Sequence, residues 1–315
     1  MSEPPRQDSP GEAPPRFSGI RTFARQQHTR ELDGADVAVV GVPFDEGTSF
    51  RPGPRFGPEA IRSASVLVRN WHPVHDVEVF ERLRVVDWGD VELSPGNAER
   101  AVGQIAEQLA PVVESGAVPL TLGGDHTIAL GELRALAARH GPLGLVLLDS
   151  HADTWDSYRG ERYFHGTPFR RAVEEGLLDP ARSLLAGMRG SLYSSRDLAE
   201  AREMGFELVL WQELRAMHPD AYGRLARDIT AGGPAFFSFD VDFVDPAFAP
   251  ATGTPEVGGP TSAEVFDFVR ALAGTRFAGF DVVEVSPPYD GPGQVTALLA
   301  ANVAYEMLAL RALAS

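Results

Sequence analysis

The sequence contains no cysteine, which excludes disulfides, thiolate metal sites and a cysteine nucleophile. Any metal must therefore be held by oxygen and imidazole. Positive charge is also scarce: 28 Lys plus Arg stand against 44 Asp plus Glu, a formal charge of −16. This balance argues against nonspecific attraction to nucleic acid or anionic membranes and slightly favours small cationic partners. No apolar run approaches the roughly 20 residues of a membrane span. The Ala- and Leu-rich stretch from Val295 to Leu313 is broken by Asn302, Glu306 and Arg311, so it reads as a packing helix. No internal repeat is present. Residues 1–16 are Pro-rich and acidic without an apolar core, so they read as a disordered leader rather than a signal peptide. The chain is expected to be soluble and cytoplasmic, with one folded domain over residues 17–315.

Within that domain, short apolar runs alternate with amphipathic stretches. The runs are Val37–Val42, Leu83–Trp88, Val118–Leu122, Leu143–Leu148, Ser183–Ala186, Leu208–Leu210, Ala235–Phe239 and Phe277–Val285. Near-continuous apolar runs of this length suit parallel strands covered on both faces. Helices are expected over Ala98–Ser115, Ile128–His140, Pro219–Ala231 and Ser262–Ala273. The alternation predicts an α/β fold: a single-domain, doubly wound, mostly parallel sheet flanked by helices. Phe50–Pro58, Ala249–Pro260 and Ser286–Gly293 are rich in Gly and Pro and read as shaped loops.

Chemistry-bearing residues cluster where the apolar runs end. Asp149, His151 and Asp153 follow LGLVLL, and Asp240 and Asp242 close FFSFDVD. While the chain stays extended, residues at i, i+2 and i+4 project together. VPLTL runs into Gly123, Gly124, Asp125 and His126. Ligands of open parallel sheets gather at the carboxyl ends of strands, so these ends are expected to meet at one crevice. The gathered set, two His and four Asp, suits Mn²⁺, Fe²⁺ or Zn²⁺. Four uncompensated carboxylates would repel one another, and two divalent ions would neutralise them. A lone Asp after a strand is usually a cap or turn residue, the role expected for Asp125. His28, His72, His75, His140 and His218 lack such company and read as surface or turn residues, with His72 and His75 near a pocket rim.

The strings GGDH, DSHAD and SFDVDFVDPAFAPATGTPEVGG resemble the three signatures of the ureohydrolase family, which includes arginases, agmatinases and guanidino-acid hydrolases. The likeness extends from GVPFDEGTSFRPGPRFGPEAIR to the final helix. It implies an arginase-like three-layer α/β/α catalytic domain that uses two Mn²⁺ ions to hydrolyse a small cationic guanidino compound to urea and an amine. One ion would be held by His126, Asp149, Asp153 and Asp240, the other by Asp149, His151, Asp240 and Asp242. Ser150 departs from the Ala usual in that family, and its side chain is expected to point away from the site. His165 resembles the family's proton-shuttling histidine and Glu284 its guanidinium-binding carboxylate; with Asp153 they form the implied catalytic set. Thr254 is a further substrate-binding candidate or a loop-shaping residue. The resemblance also implies a homotrimer or homohexamer.

The far end of the substrate decides which guanidino compound is taken. Residues 154–164 lack the short Asn- and Ser-bearing loop of typical arginases, which disfavours arginine. Overall likeness favours agmatine, cleaved to putrescine and urea. Arg159 and Arg162 would serve a guanidino acid such as guanidinobutyrate or guanidinopropionate. Trp155, Tyr158 and Tyr163 are either packing residues or cation–π partners. Two other classes compete: a non-catalytic metal-stabilised scaffold, and a two-metal phosphoesterase, for which no glycine-rich phosphate cradle or basic cluster is present.

Overall fold

The computed structural model describes residues 15–314. The leader read over residues 1–16 lies outside them, apart from Pro15 and Arg16. Ten strands occur in chain order: β1 (Val37–Gly41), β2 (Trp71–His72), β3 (Val77–Glu78), β4 (Val85–Asp90), β5 (Val118–Leu122), β6 (Leu143–Leu148), β7 (Leu178–Ala186), β8 (Glu207–Val209), β9 (Ala235–Asp240) and β10 (Phe277–Val283). Eight of them form one sheet in the order β4-β1-β5-β10-β9-β6-β7-β8. Every neighbouring pair in it runs parallel. β2 and β3 form a separate antiparallel pair.

Why the strands are apolar throughout follows from the layers on either side. Val37 and Val39 of β1 join one core, shared with Ile61, Tyr222, Phe268 and the final helix; Ala38 and Val40 join the opposite core, shared with Ile105, Leu133 and Phe169. Side chains alternate faces along a strand, and both faces here are covered. Each apolar run of the sequence thus supplies one strand of the large sheet. The long helices fall where expected, at Ala98–Ser115, Ile128–His140, Pro219–Thr230 and Ser262–Ala271. The last two stop short of the read boundary, where the helical pattern gives way to turns before β9 and β10.

Several short helices went unread. Gly57–Ala64 begins inside the segment read as loop, because Pro58 sits in its first turn, where its missing N–H costs nothing. Pro168–Glu174 and Arg196–Glu203 are only seven and eight residues long, too brief for a clear helical period. The final helix, Val295–Ala314, has the length and hydropathy of a membrane span, yet 67% of its apolar window is buried inside the fold. It packs on Gly57–Ala64, on Ser262–Ala271 and on β10.

Arg62, on the helix Gly57–Ala64, ties this layer to the sheet. Its Nε lies 2.8 Å from Asp87 Oδ2 and its Nη1 lies 2.6 Å from Asp90 Oδ1, both on β4. Asp87 is fully buried and also accepts the Phe23 and Gly89 N–H groups. Replacing only one partner of a buried pair leaves the other charge uncompensated, which costs about 3–5 kcal/mol. Arg62→Ala should lose stability on that scale in denaturant unfolding, whereas Arg196→Ala, whose partner Glu203 is exposed, should change it by less than about 1 kcal/mol.

Candidate metal centre

Four adjacent strands, β5, β10, β9 and β6, deliver the predicted residues from their carboxyl ends. The strand order reverses here: β5 and β6 are consecutive in sequence but separated in the sheet by β10 and β9, the usual location of an α/β ligand crevice. His126 follows β5, Glu284 follows β10, Asp240 ends β9, and Asp149, His151 and Asp153 follow β6.

The local geometry differs from simple strand alternation. Asp149 Oδ1 accepts the N–H of His151 at 2.6 Å, and Asp240 Oδ1 accepts that of Asp242 at 2.7 Å. Each pair is therefore a turn closed by the first carboxylate on the backbone two residues on. Val241–Phe243 is correspondingly a 3₁₀ turn. The turns, not the extended chain, aim the second member of each pair. Asp153 and Glu284 have φ of 51° and 65°, a strained left-handed backbone that turns both carboxylates into the crevice.

Two donor groups result. His126 Nδ1 lies 2.8 Å from Asp153 Oδ2, 3.2 Å from Asp149 Oδ2 and 3.4 Å from Asp240 Oδ2. His151 Nδ1 lies 3.0 Å from Asp242 Oδ2 and 3.6 Å from Asp149 Oδ1. His126, Asp149 and Asp240 bring one ligand atom each close enough to share a cation, as do Asp149, His151 and Asp242, so Asp149 belongs to both sets. Buried His126 Nδ1 and Asp149 Oδ2 make no hydrogen bond at all. A ring nitrogen crowded by three carboxylate oxygens without a hydrogen bond is the arrangement a divalent ion would satisfy. Electrostatics points the same way: burial, and then neighbouring Asp149, pushes Asp153 up to about 6. Burial and then Asp242 and Asp149 raise Asp240 well above the ordinary range. The donor set thus fits two divalent ions bound by O and N.

Glu284 and His165 sit beside these donors. Glu284 Oε1 accepts the N–H of His126 at 2.9 Å and lies 2.9 Å from His165 Nδ1. Glu284 Oε2 is buried and has no hydrogen-bond partner among the described residues. His165 Nε2 lies 3.2 Å from the Ser49 N–H and 2.9 Å from its hydroxyl. Burial pushes the His165 imidazole down, but Glu284 and then Asp125 and Asp153 carry it above its ordinary value. Because the Ser49 N–H donates to it, Nε2 is an acceptor, and the neutral ring carries its proton on Nδ1, toward Glu284.

Several expectations need correction. Ser150 does not point away: its hydroxyl donates to Asp242 Oδ1 at 2.6 Å and its N–H approaches the same oxygen at 3.1 Å. The tight turn after β6 brings residue 150 against the β9 end. Thr254 donates to Asp242 Oδ2 at 3.3 Å while lining the cavity, so it orients a donor as well as shaping a loop. Arg162 is committed to Glu174 at 2.8 Å, outside the cavity. His72 is buried, with Nε2 2.8 Å from Glu306 Oε2, and Glu306 also accepts Arg270. Its Nδ1 accepts the His75 N–H, so the neutral ring carries its proton on Nε2, toward Glu306. This cluster clamps the β2–β3 pair to the final helix. The surface reading does hold for His28, which bonds the Asp87 carbonyl, for His140 and for His218, which caps a helix.

Other contributors were missed. Asp125 accepts the N–H groups of Gly47 at 2.7 Å and Thr127 at 2.9 Å, the anchoring role expected of it. The loop it holds carries Ser49 and places the Gly47 carbonyl on the His165 N–H. A Cβ on Gly47 would stand 2.1 Å from Thr127 Oγ1, so only glycine allows this approach. Behind His126, Nε2 meets the Ser238 hydroxyl at 2.8 Å. Asp281, which accepts the Phe239 N–H at 3.2 Å, is pushed up to about 6 by burial. Glu132 lies beyond, fully buried and raised by burial and by Asp281. The i−2 spacing from Asp240 was the available signal for Ser238; Asp281, three residues before Glu284, falls on the other face by strict alternation and carried none. Ser238→Ala should unfasten the His126 ring and weaken divalent-metal binding about 10–100-fold in calorimetric titration, with the fold intact by circular dichroism.

A sequence model of the arginase family matches residues 35–309. The chain is 46% identical over 301 residues to a guanidinobutyrase of Pseudomonas aeruginosa, covering 95% of this chain and 94% of that one. It is 44% identical to a mitochondrial agmatinase of Gallus gallus, over 92% of this chain and 85% of the relative. Among solved structures, the proclavaminate amidino hydrolase of Streptomyces clavuligerus superposes with a TM-score of 0.92 at 41% identity, covering 96% of this chain and 100% of that one.

Proposed function

The chain belongs to the arginase family, and from that premise we propose that it hydrolyses a small guanidino compound to urea and an amine with two Mn²⁺ ions. The observation that carries this reading is the unpartnered, buried Glu284 Oε2 beside six converging His and Asp donors. A planar guanidinium presents paired N–H groups to such an oxygen, while the donors await cations. Agmatine is the leading substrate. A guanidino acid is the second reading, favoured by the likeness to a protein named guanidinobutyrase.

In this proposal His126, Asp149, Asp153 and Asp240 hold one ion, and Asp149, His151, Asp240 and Asp242 hold the other. When bound, the pair would lower the pKa of water enough to make it a nucleophile near neutral pH. Glu284 orients the guanidinium carbon toward that nucleophile and keeps the substrate's charge compensated in a dry site. His165 delivers a proton to the departing amine, with Glu284 on its Nδ1 and Ser49 on its Nε2. Thr254 and Ser150 steady Asp242. A homotrimer or homohexamer is proposed on the resemblance and is checked by light scattering.

Urea release from agmatine, arginine, guanidinobutyrate, guanidinopropionate and guanidinoacetate with Mn²⁺ tests the reading, and silence on all five would exclude it. Asp149→Ala and Asp240→Ala should each remove a shared ligand and abolish both manganese occupancy and turnover. His165→Ala should keep its metal and lose about 100-fold or more in kcat; an unchanged rate would reduce it to a structural histidine.

Acid should strip the metal. Asp153, held up at about 6, gains a proton as the pH falls through that value, and a protonated carboxyl no longer binds a cation. Bound metal favours the ionised form, so loss should set in at or below that pH. Manganese measured after dialysis should be full at pH 8 and largely gone at pH 5; equal content at both would contradict the ligand set.

A further inference from the structure

We propose that Asp197, with the faces of Trp155 and Tyr193, receives a positive charge at the substrate end remote from the guanidinium. The site then selects amine-terminated guanidines over guanidino acids. This assignment rests on the guanidinium hydrolysis proposed above and names what reads the rest of the molecule.

Asp197 and Trp155 line two adjoining cavities. The inner one also holds His151, Asp153, Asp240, Asp242 and Thr254; the outer one also holds Tyr193 and Arg159. Residues common to both stand at their junction, beyond the donors. The Trp155 and Tyr193 ring centroids are 5.5 Å apart, at 59°. Ammonium groups favour such aromatic faces.

Asp197 has its charge to spare. Its oxygens accept the Tyr193 N–H at 3.1 Å and the Ser194 hydroxyl at 2.9 Å, which aims the carboxylate, and it forms no ion pair among the described residues. The neighbouring acids differ: Asp156 is paired with Arg171 and Glu200 with Arg170. The rest of the inner wall toward Asp197 is apolar, with Met188, Leu192 and Leu198.

A substrate carboxylate finds no equivalent. The chain contains no lysine, so all 28 of its cationic side chains are arginine. None of the described ones lines the inner cavity. Arg159 reaches the outer cavity alone, lying 5.9 Å from the Tyr158 ring. A guanidino acid would therefore set its carboxylate against Asp197 with no arginine of the inner cavity to compensate it, and the two like charges would repel. An ammonium in the same place gains a charge-assisted hydrogen bond and an aromatic face.

The test compares manganese-loaded wild type and Asp197→Asn on agmatine, 4-guanidinobutyrate and butylguanidine, whose remote end carries no charge. The wild type should prefer agmatine, and the substitution should lower its kcat/KM relative to butylguanidine by about tenfold or more, through KM. Asp197→Arg should move preference toward 4-guanidinobutyrate, a gain that misfolding cannot produce. Calorimetry reads the same group without turnover: 1,4-diaminobutane should bind the wild type more tightly than butylamine and lose that advantage in Asp197→Asn. Wild-type preference for 4-guanidinobutyrate, or equal losses on agmatine and butylguanidine, would overturn the assignment. No urea from any of the three would overturn guanidinium hydrolysis itself, and this assignment with it.

Discussion

Four carboxylates buried at the end of one sheet cannot all be ionised together unless cations join them, and the arrangement of the molecule follows from that constraint. Asp149, Asp153, Asp240 and Asp242 come from two strand ends, and His126 and His151 face them from positions where a shared ion satisfies every member. Around this knot the protein spends its polar residues on orientation. Ser238 fixes the His126 ring, Ser150 and Thr254 fix Asp242, and Asp125 fixes the loop that reaches His165. A centre supported in this way gives up little freedom when an ion enters.

Glu284 joins the parts. One of its oxygens serves the His126 backbone and the His165 ring, leaving the other for a ligand. The left-handed φ at this residue, 65°, is the local strain that permits both. A shorter side chain or a relaxed backbone could meet one duty but not all three.

The large sheet was legible in the sequence because its strands are buried on both faces and so stand out as apolar runs such as VAVVG and LGLVLL. The donors were legible because Asp and His immediately after such runs are costly without a partner. What escaped notice was set by tertiary neighbours. Ser150 looks like a spacer until the β9 end is brought against it, and His72 looks like a turn residue until Glu306, 234 positions away, closes on it. The helices Pro168–Glu174 and Arg196–Glu203 are too short to show a period, yet the first sets Phe169 edge-on against His126 and the second puts Asp197 and Leu198 on the cavity wall. The alternation argument put Asp149 beside His151 and Asp240 beside Asp242 for an incomplete reason: turns closed on the backbone, not pleat, aim them.

The strand order carries a consequence for how such a chain is made. β9 and β10 lie between β5 and β6 but are the last strands to leave the ribosome. Until they insert, the ends of β5 and β6 are separated by the width of two missing strands, and His126 has no route to Asp149. The donors of β5, β6 and β9 meet only in the closed sheet, so the full donor set is complete only once its last two strands have inserted.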